Sequence, residues 1–160
     1  MPRQTGDNKY GVAKWIVDAD ISLGSHTTIA SAITSAVSGD TIFIRPGTYT
    51  ENITLKAGVD IVSFPGEGLT ANVTIVGKVT ASYTGTVTIS GIRLETNSDF
   101  CLDVTGSNVT VLNLQGCFIL ASTNTAINIS NTNSTVQFRF CYGNISTTGI
   151  TLFTKSAGTF

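Results

Sequence analysis

A six-residue pattern of apolar, polar, apolar, any, small, apolar returns four times along this chain. The copies are Val59-Asp60-Ile61-Val62-Ser63-Phe64, Val87-Thr88-Ile89-Ser90-Gly91-Ile92, Leu112-Asn113-Leu114-Gln115-Gly116-Cys117 and Val136-Gln137-Phe138-Arg139-Phe140-Cys141. They start 28, 25 and 24 residues apart, the spacing of a stacked repeat and not of a closed domain. Alternation at period two turns the apolar pairs inward and the residues between them outward.

A second series, two apolar residues flanking one outward residue, sits between those copies. It runs Ile53-Thr54-Leu55, Val73-Thr74-Ile75, Leu102-Asp103-Val104, Ile127-Asn128-Ile129 and Ile150-Thr151-Leu152. Two offset series with one average step describe a coil with at least two strands per turn. Stacked about 4.8 Å apart and bonded through their backbones, such coils bury a continuous core that none could bury alone. A β-sandwich also has short strands at regular spacing, but it does not predict one inward pattern returning at one period.

The exception to strand patterning lies at the front. Ile29, Ala32, Ile33, Ala36 and Val37 form one apolar face of a helix over 27–38. Thr27 or Thr28 suits its start, and Gly39 suits a left-handed end. A strand at 41–44 and a turn at Arg45-Pro46-Gly47 follow. The helix is expected to plug the open end of the first coil, with Trp15 packed into the same cap. The fold predicted is all-β: a parallel β-helix (solenoid) with an amino-terminal capping α-helix. Residues 1–26 form an arm and leading strand, 27–40 the cap, and 41–160 about five coils. No second cap is visible. The carboxy-terminal edge is therefore expected to be covered by further chain, by a partner subunit, with Phe140, Phe153 and Phe160 as interface residues, or by the tail folding back.

Three segments stand together here: Thr28-Ile29-Ala30-Ser31-Ala32-Ile33, Ser38-Gly39-Asp40-Thr41-Ile42 and Pro46-Gly47-Thr48-Tyr49-Thr50-Glu51. On these residues the chain resembles the pectin-lyase-like parallel β-helix proteins. Pectin methylesterases, periplasmic copper-site proteins and many phage tail proteins open similarly. The resemblance implies a right-handed helix with three sheets, and for virion members a trimer. For an esterase it would also imply two carboxylates, a glutamine and an arginine on one exposed sheet. The nearest match to the esterase nucleophile segment, Gly116-Cys117-Phe118-Ile119-Leu120, continues into Ala121-Ser122-Thr123 without a carboxylate.

Charge narrows the chemistry further. Asp, Glu, Lys and Arg make up 12% of the chain and the net charge is −1, which does not make the basic footprint of a nucleic-acid groove. No apolar run is long enough to span a bilayer. The amino terminus through Asp7 is polar, without the apolar stretch of a secretion signal. Beyond Asp103 there is no acid, and Arg139 and Lys155 are the only formal charges there, so calcium-dependent lyase or paired-carboxylate chemistry is not expected in that half. Glu95, Asp99 and Asp103 read as a solvated turn rather than a calcium loop, and His26 as a surface loop residue. Cys117 and Cys141 occupy one repeat position and are expected to stack as inward thiols, with a disulfide between them as the alternative where their side chains approach closely; with Cys101 they match no zinc spacing. The Asn-x-Ser/Thr matches at Asn52, Asn72, Asn108, Asn128, Asn133 and Asn144 read as turn positions, not glycosylation sites.

What remains is an outward polar surface. Asp60, Thr88, Asn113 and Gln137 should stack in one column, beside a second of Val62, Ser90, Gln115 and Arg139. Tyr142 and Phe118 are candidates for aromatic contact. The expectation is a non-catalytic structural or glycan- or receptor-binding module of a phage or viral surface appendage. It would act on a virion or extracellular surface as a homo-oligomer, with polysaccharide as a candidate partner and without cofactor, catalytic or metal residues, nucleic acid or membrane. The alternatives are the amino-terminal part of a polysaccharide lyase or pectin-esterase-like enzyme, and a bacterial adhesin or effector.

Overall fold

Apolar residues at every second position let each winding of this chain bury one row of side chains against the next. The computed structural model describes residues 15–22, 24–64, 72–96, 100–105, 110–121, 126–130, 133–145 and 153–155. Strand β1 (Trp15–Val17) leads into helix α1 (Ile29–Ser35). Five sets of three strands follow. The first is β2 (Thr41–Ile44), β3 (Gly47–Thr50) and β4 (Ile53–Thr54), and the second β5 (Asp60–Ser63), β6 (Val73–Val76) and β7 (Val79–Ala81). The third is β8 (Gly85–Ser90), β9 (Ile92–Thr96) and β10 (Leu102–Val104), and the fourth β11 (Thr110–Gln115), β12 (Phe118–Ala121) and β13 (Ile127–Ile129). The fifth is β14 (Thr135–Arg139), β15 (Tyr142–Ile145) and β16 (Phe153–Lys155).

Each strand pairs in parallel with its counterpart one coil away, giving three sheets: β1-β2-β5-β8-β11-β14, β3-β6-β9-β12-β15 and β4-β7-β10-β13-β16. The protein is a parallel β-helix. Ile42, Ile61, Ile89 and Leu114 are in register down the first sheet and are at most 1% exposed. The predicted repeat is therefore real, with three amendments. Phe138 continues that column in register but lies on the last strand of its sheet and is 37% exposed. Phe64 leaves the core and lies half-buried, edge-on to Phe43 at 6.3 Å, with the Arg45 guanidinium 4.9 Å from its ring centre.

The third amendment concerns the second series, which mixes two sheets. Val73-Thr74-Ile75 belongs with Gly47 and Ile92, whereas Ile53 pairs with Val79. The third sheet starts at Ile53, Val79, Leu102, Ile127 and Phe153, steps of 26, 23, 25 and 26 residues, so Phe153 takes the place expected of Ile150. Gly77 separates the two families: it runs so close to the Glu51 carbonyl that no Cβ fits.

The motifs that carry the family likeness build the cap. Helix α1 stands where later coils have their second and third strands, and it packs Ile29, Ala32 and Ile33 into the common core. At seven residues it is too short to persist alone. Its orphan groups are met by the coil below. Glu51 accepts from the Ile29 N–H (2.8 Å) and the Ala30 N–H (2.9 Å), placing a carboxylate at the positive end of the helix. Lys56 donates to the Thr34 and Ala36 carbonyls at the other end. Asp40 accepts from the Trp15 indole N–H (2.8 Å) and the Val37 N–H (2.8 Å). The helix is shorter than expected because Ala36 is already extended, with Gly39 making the left-handed turn three residues later. Val37 accordingly points out, 55% exposed. Trp15 does pack into the cap, 5.4 Å from His26. His26 is more enclosed than a surface loop residue: it bridges to Val17, and its Nδ1 lies 3.1 Å from the Ser31 hydroxyl.

Residues 1–14, Asp99, Asn108, Ile150-Thr151-Leu152 and Phe160, for which expectations were stated, lie outside the described residues.

Candidate functional site

The outer face of the first sheet changes character along the axis. Its first rungs are apolar: Phe43 stacks on Val62, flanked by Phe64 and Arg45. From β8 onward the same column reads Ser90, Gln115, Arg139, and its neighbour reads Thr88, Asn113, Gln137. Both predicted columns therefore exist in register, at a rung spacing of about 4.8 Å. Gln115, Gln137 and Arg139 are exposed; Thr88, Ser90 and Asn113 are half-buried. Amides, hydroxyls and one guanidinium offer donors and acceptors at a fixed pitch.

Asp60, the head of the first column, has a different job. Its Oδ1 accepts from the Thr88 N–H at 2.7 Å, so the carboxylate closes the backbone ladder where the second coil meets the third. Among the described residues no side-chain hydrogen bond joins successive rungs of Thr88, Asn113 and Gln137, or of Ser90, Gln115 and Arg139. The third sheet does have such a rung, where the Asn128 amide donates to Asp103 at 2.8 Å.

Tyr142 is on another face. The third, fourth and fifth coils turn from the first sheet to the second through one residue in the left-handed region: Gly91 (φ 69°), Gly116 (φ 59°) and Phe140 (φ 54°). Beyond that corner the outward column of the second sheet is Thr48, Thr74, Arg93, Phe118, Tyr142. Arg93 lies over the Phe118 ring at 5.1 Å and is held by Glu95 at 3.0 Å. Tyr142 is 71% exposed on the next rung, and Phe140, at the corner between the two faces, is 86% exposed. Arg93 is the contributor that sequence reading missed. Its signal was its offset, one residue after Ile92, as Phe118 follows Cys117 and Tyr142 follows Cys141.

Every described carboxylate has a local partner. Asp18 pairs with Arg45 (3.4 Å), Asp20 accepts from the Ser22 N–H (2.9 Å), and Asp40, Glu51, Asp60, Glu95 and Asp103 are engaged as given above. Glu95 and Asp103 lie on different sheets, and no group of three or more His, Cys, Asp or Glu among the described residues could hold a metal.

Comparison with solved structures gives the fold a relative. A pectin methylesterase from Aspergillus niger matches with a TM-score of 0.54 and 17% identity. This chain therefore shares its parallel β-helix fold. The likeness covers 83% of the present chain and 57% of the esterase, so the chain spans a little over half of that protein. No family model matches the sequence, and no curated protein matches it. At this identity the likeness speaks for the fold and not for the activity.

Proposed function

We propose that this chain is a non-catalytic β-helix that holds an extended acidic polysaccharide against its polar face, as part of a virion or other extracellular surface appendage. The observation that carries this reading is the pair of in-register columns, Thr88-Asn113-Gln137 and Ser90-Gln115-Arg139, whose rungs are not joined by side-chain hydrogen bonds. Polar groups repeated at the coil pitch meet the hydroxyls of a chain laid along the axis, and Arg139 supplies the charge that favours a carboxylated sugar. Phe118 and Tyr142, around the corner, offer apolar ring surface with a hydroxyl tip. The engagement of each described carboxylate in cap, ladder or ion pair supports the non-catalytic part.

Affinity electrophoresis of the whole chain in gels containing polygalacturonate tests the reading. Migration should be retarded, and Gln115→Ala combined with Arg139→Ala should relieve the retardation without altering the circular dichroism spectrum. Unaltered migration of the parent protein would overturn the binding. Methanol release from methyl-esterified pectin, or unsaturated products from polygalacturonate, would overturn the non-catalytic part.

A second reading, the amino-terminal part of a pectin-esterase-like enzyme or polysaccharide lyase, is favoured by the likeness to an esterase of which this chain spans 57%. Its test is whether a longer parent chain releases methanol when this one does not.

A further inference from the structure

Cys117 and Cys141 sit one above the other at the corner where coils four and five turn from the first sheet to the second. The register pairs Gln115 with Arg139 on one side of them and Phe118 with Tyr142 on the other. Two backbone bonds pin the corner: the Tyr142 N–H donates to the Cys117 carbonyl and the Gly116 N–H to the Arg139 carbonyl, both at 2.9 Å. In-register strands lie about 4.8 Å apart, within the Cα separation that disulfides span. Both cysteines are free thiols; Cys117 is fully buried and Cys141 partly open. Beside Cys141 stand Phe140 and Tyr142, 86% and 71% exposed, so the outer thiol lies where a small solute arrives from water.

We propose that Cys117 and Cys141 are an oxidative modification site, closed by peroxide into a disulfide that staples the fourth coil to the fifth. The step balances. The Cys141 thiolate attacks one oxygen of hydrogen peroxide, the O–O bond breaks, and the departing hydroxide takes a proton to become water. The Cys117 sulfur then attacks the Cys141 sulfenic sulfur. The S–O bond breaks, and the leaving hydroxide takes the Cys117 proton. Two thiols and one peroxide give one disulfide and two waters. The order of events follows from exposure: Cys141 is the partly open thiol, while Cys117 is fully buried with its Sγ 3.4 Å from the Ile89 carbonyl. Cys101 is the internal contrast. It is buried, donates to the Leu120 carbonyl at 3.1 Å, and is pushed up to about 12, chiefly by burial.

The test is a peptide map of the native chain treated with hydrogen peroxide, cleared of peroxide, and then unfolded and alkylated. The expected product is a Cys117–Cys141 linked peptide lighter by two hydrogens, with Cys101 still alkylated. The thermal midpoint should rise by several degrees and return with dithiothreitol. Cys101→Ser should keep the linkage and Cys141→Ser should abolish it; the parent map stands without either variant. Alkylation of both Cys117 and Cys141 after peroxide, sulfinic acid at Cys141 without linkage, or a bond to Cys101 or between copies would each overturn the assignment.

Discussion

The corner between the first two sheets makes a graded prediction, because three equivalent positions share one backbone shape and differ in side chain and space. An L-residue in the left-handed region costs about 1–2 kcal/mol, and a glycine there still gives a net advantage of about 1 kcal/mol after its greater freedom in the unfolded chain is counted. At Gly116 (φ 59°) a Cβ would meet nothing within 4 Å, so Gly116→Ala isolates the backbone term and should cost about 1 kcal/mol. At Gly91 (φ 69°) the Ser63 hydroxyl occupies the place of a Cβ. Gly91→Ala should cost about 1 kcal/mol more than Gly116→Ala, and the excess should vanish when Ser63→Ala is added. Phe140 (φ 54°) already carries the strain. Being 86% exposed, it returns roughly 30 Å² of contact when truncated, about 0.7 kcal/mol, so Phe140→Gly should gain a few tenths of a kcal/mol instead of losing the several that a core phenylalanine would. Urea melts of the four variants read the order directly. A neutral Gly116→Ala, or a Phe140→Gly that loses more than about 1 kcal/mol, refutes the strain argument and marks Phe140 as packed.

Glu51→Gln should lower stability by about 1–2 kcal/mol in thermal melts, because the amide presents a donor to one of two helix N–H groups and removes the charge. Leu114→Ala should cost about 3–5 kcal/mol, since the residue is fully buried between Ile89 and Phe138; a loss under 1 kcal/mol would mean the inward column does not hold the coils together. Burial, with Asp18 and Glu51 nearby, pushes Tyr49 up to about 12, and burial first pushes Tyr83 higher still. A phenol raised on folding stays protonated while the unfolded chain ionises. Its stabilisation is complete below pH 10 and falls as pH climbs toward 12, so in a Tyr10→Phe, Tyr142→Phe variant, which keeps only the two buried phenols, tyrosinate absorbance should coincide with alkaline unfolding. Tyrosinate appearing near pH 10 in that folded variant would contradict the burial of Tyr49 and Tyr83.

The vertical rows were legible because alternation is local: Ile61, Ile89 and Leu114 announce an inward face whatever surrounds them. The third sheet was harder to read. Val73-Thr74-Ile75 and Val79-Thr80-Ala81 alternate identically, and the corner between them, Gly77-Lys78, is set by contact with Glu51 in the coil below. Partners across coils escaped for the same reason. Nothing in the order of residues says that Asp60 would take the Thr88 N–H, or that Glu51 would reach back 22 residues to the helix. The polar columns were placed correctly as positions. Tyr142 was not grouped with Arg93 and Phe118, because a one-residue corner turns the chain onto a new face without interrupting the apolar pattern.

The amino-terminal plug depends on residues that follow it. Its helix gains charge and hydrogen-bond partners from Glu51 and Lys56, so the first winding must close before those seven residues have reason to coil. On a ribosome the leading end would therefore wait for chain made later, and the column would acquire its lid only once there is something beneath to cover.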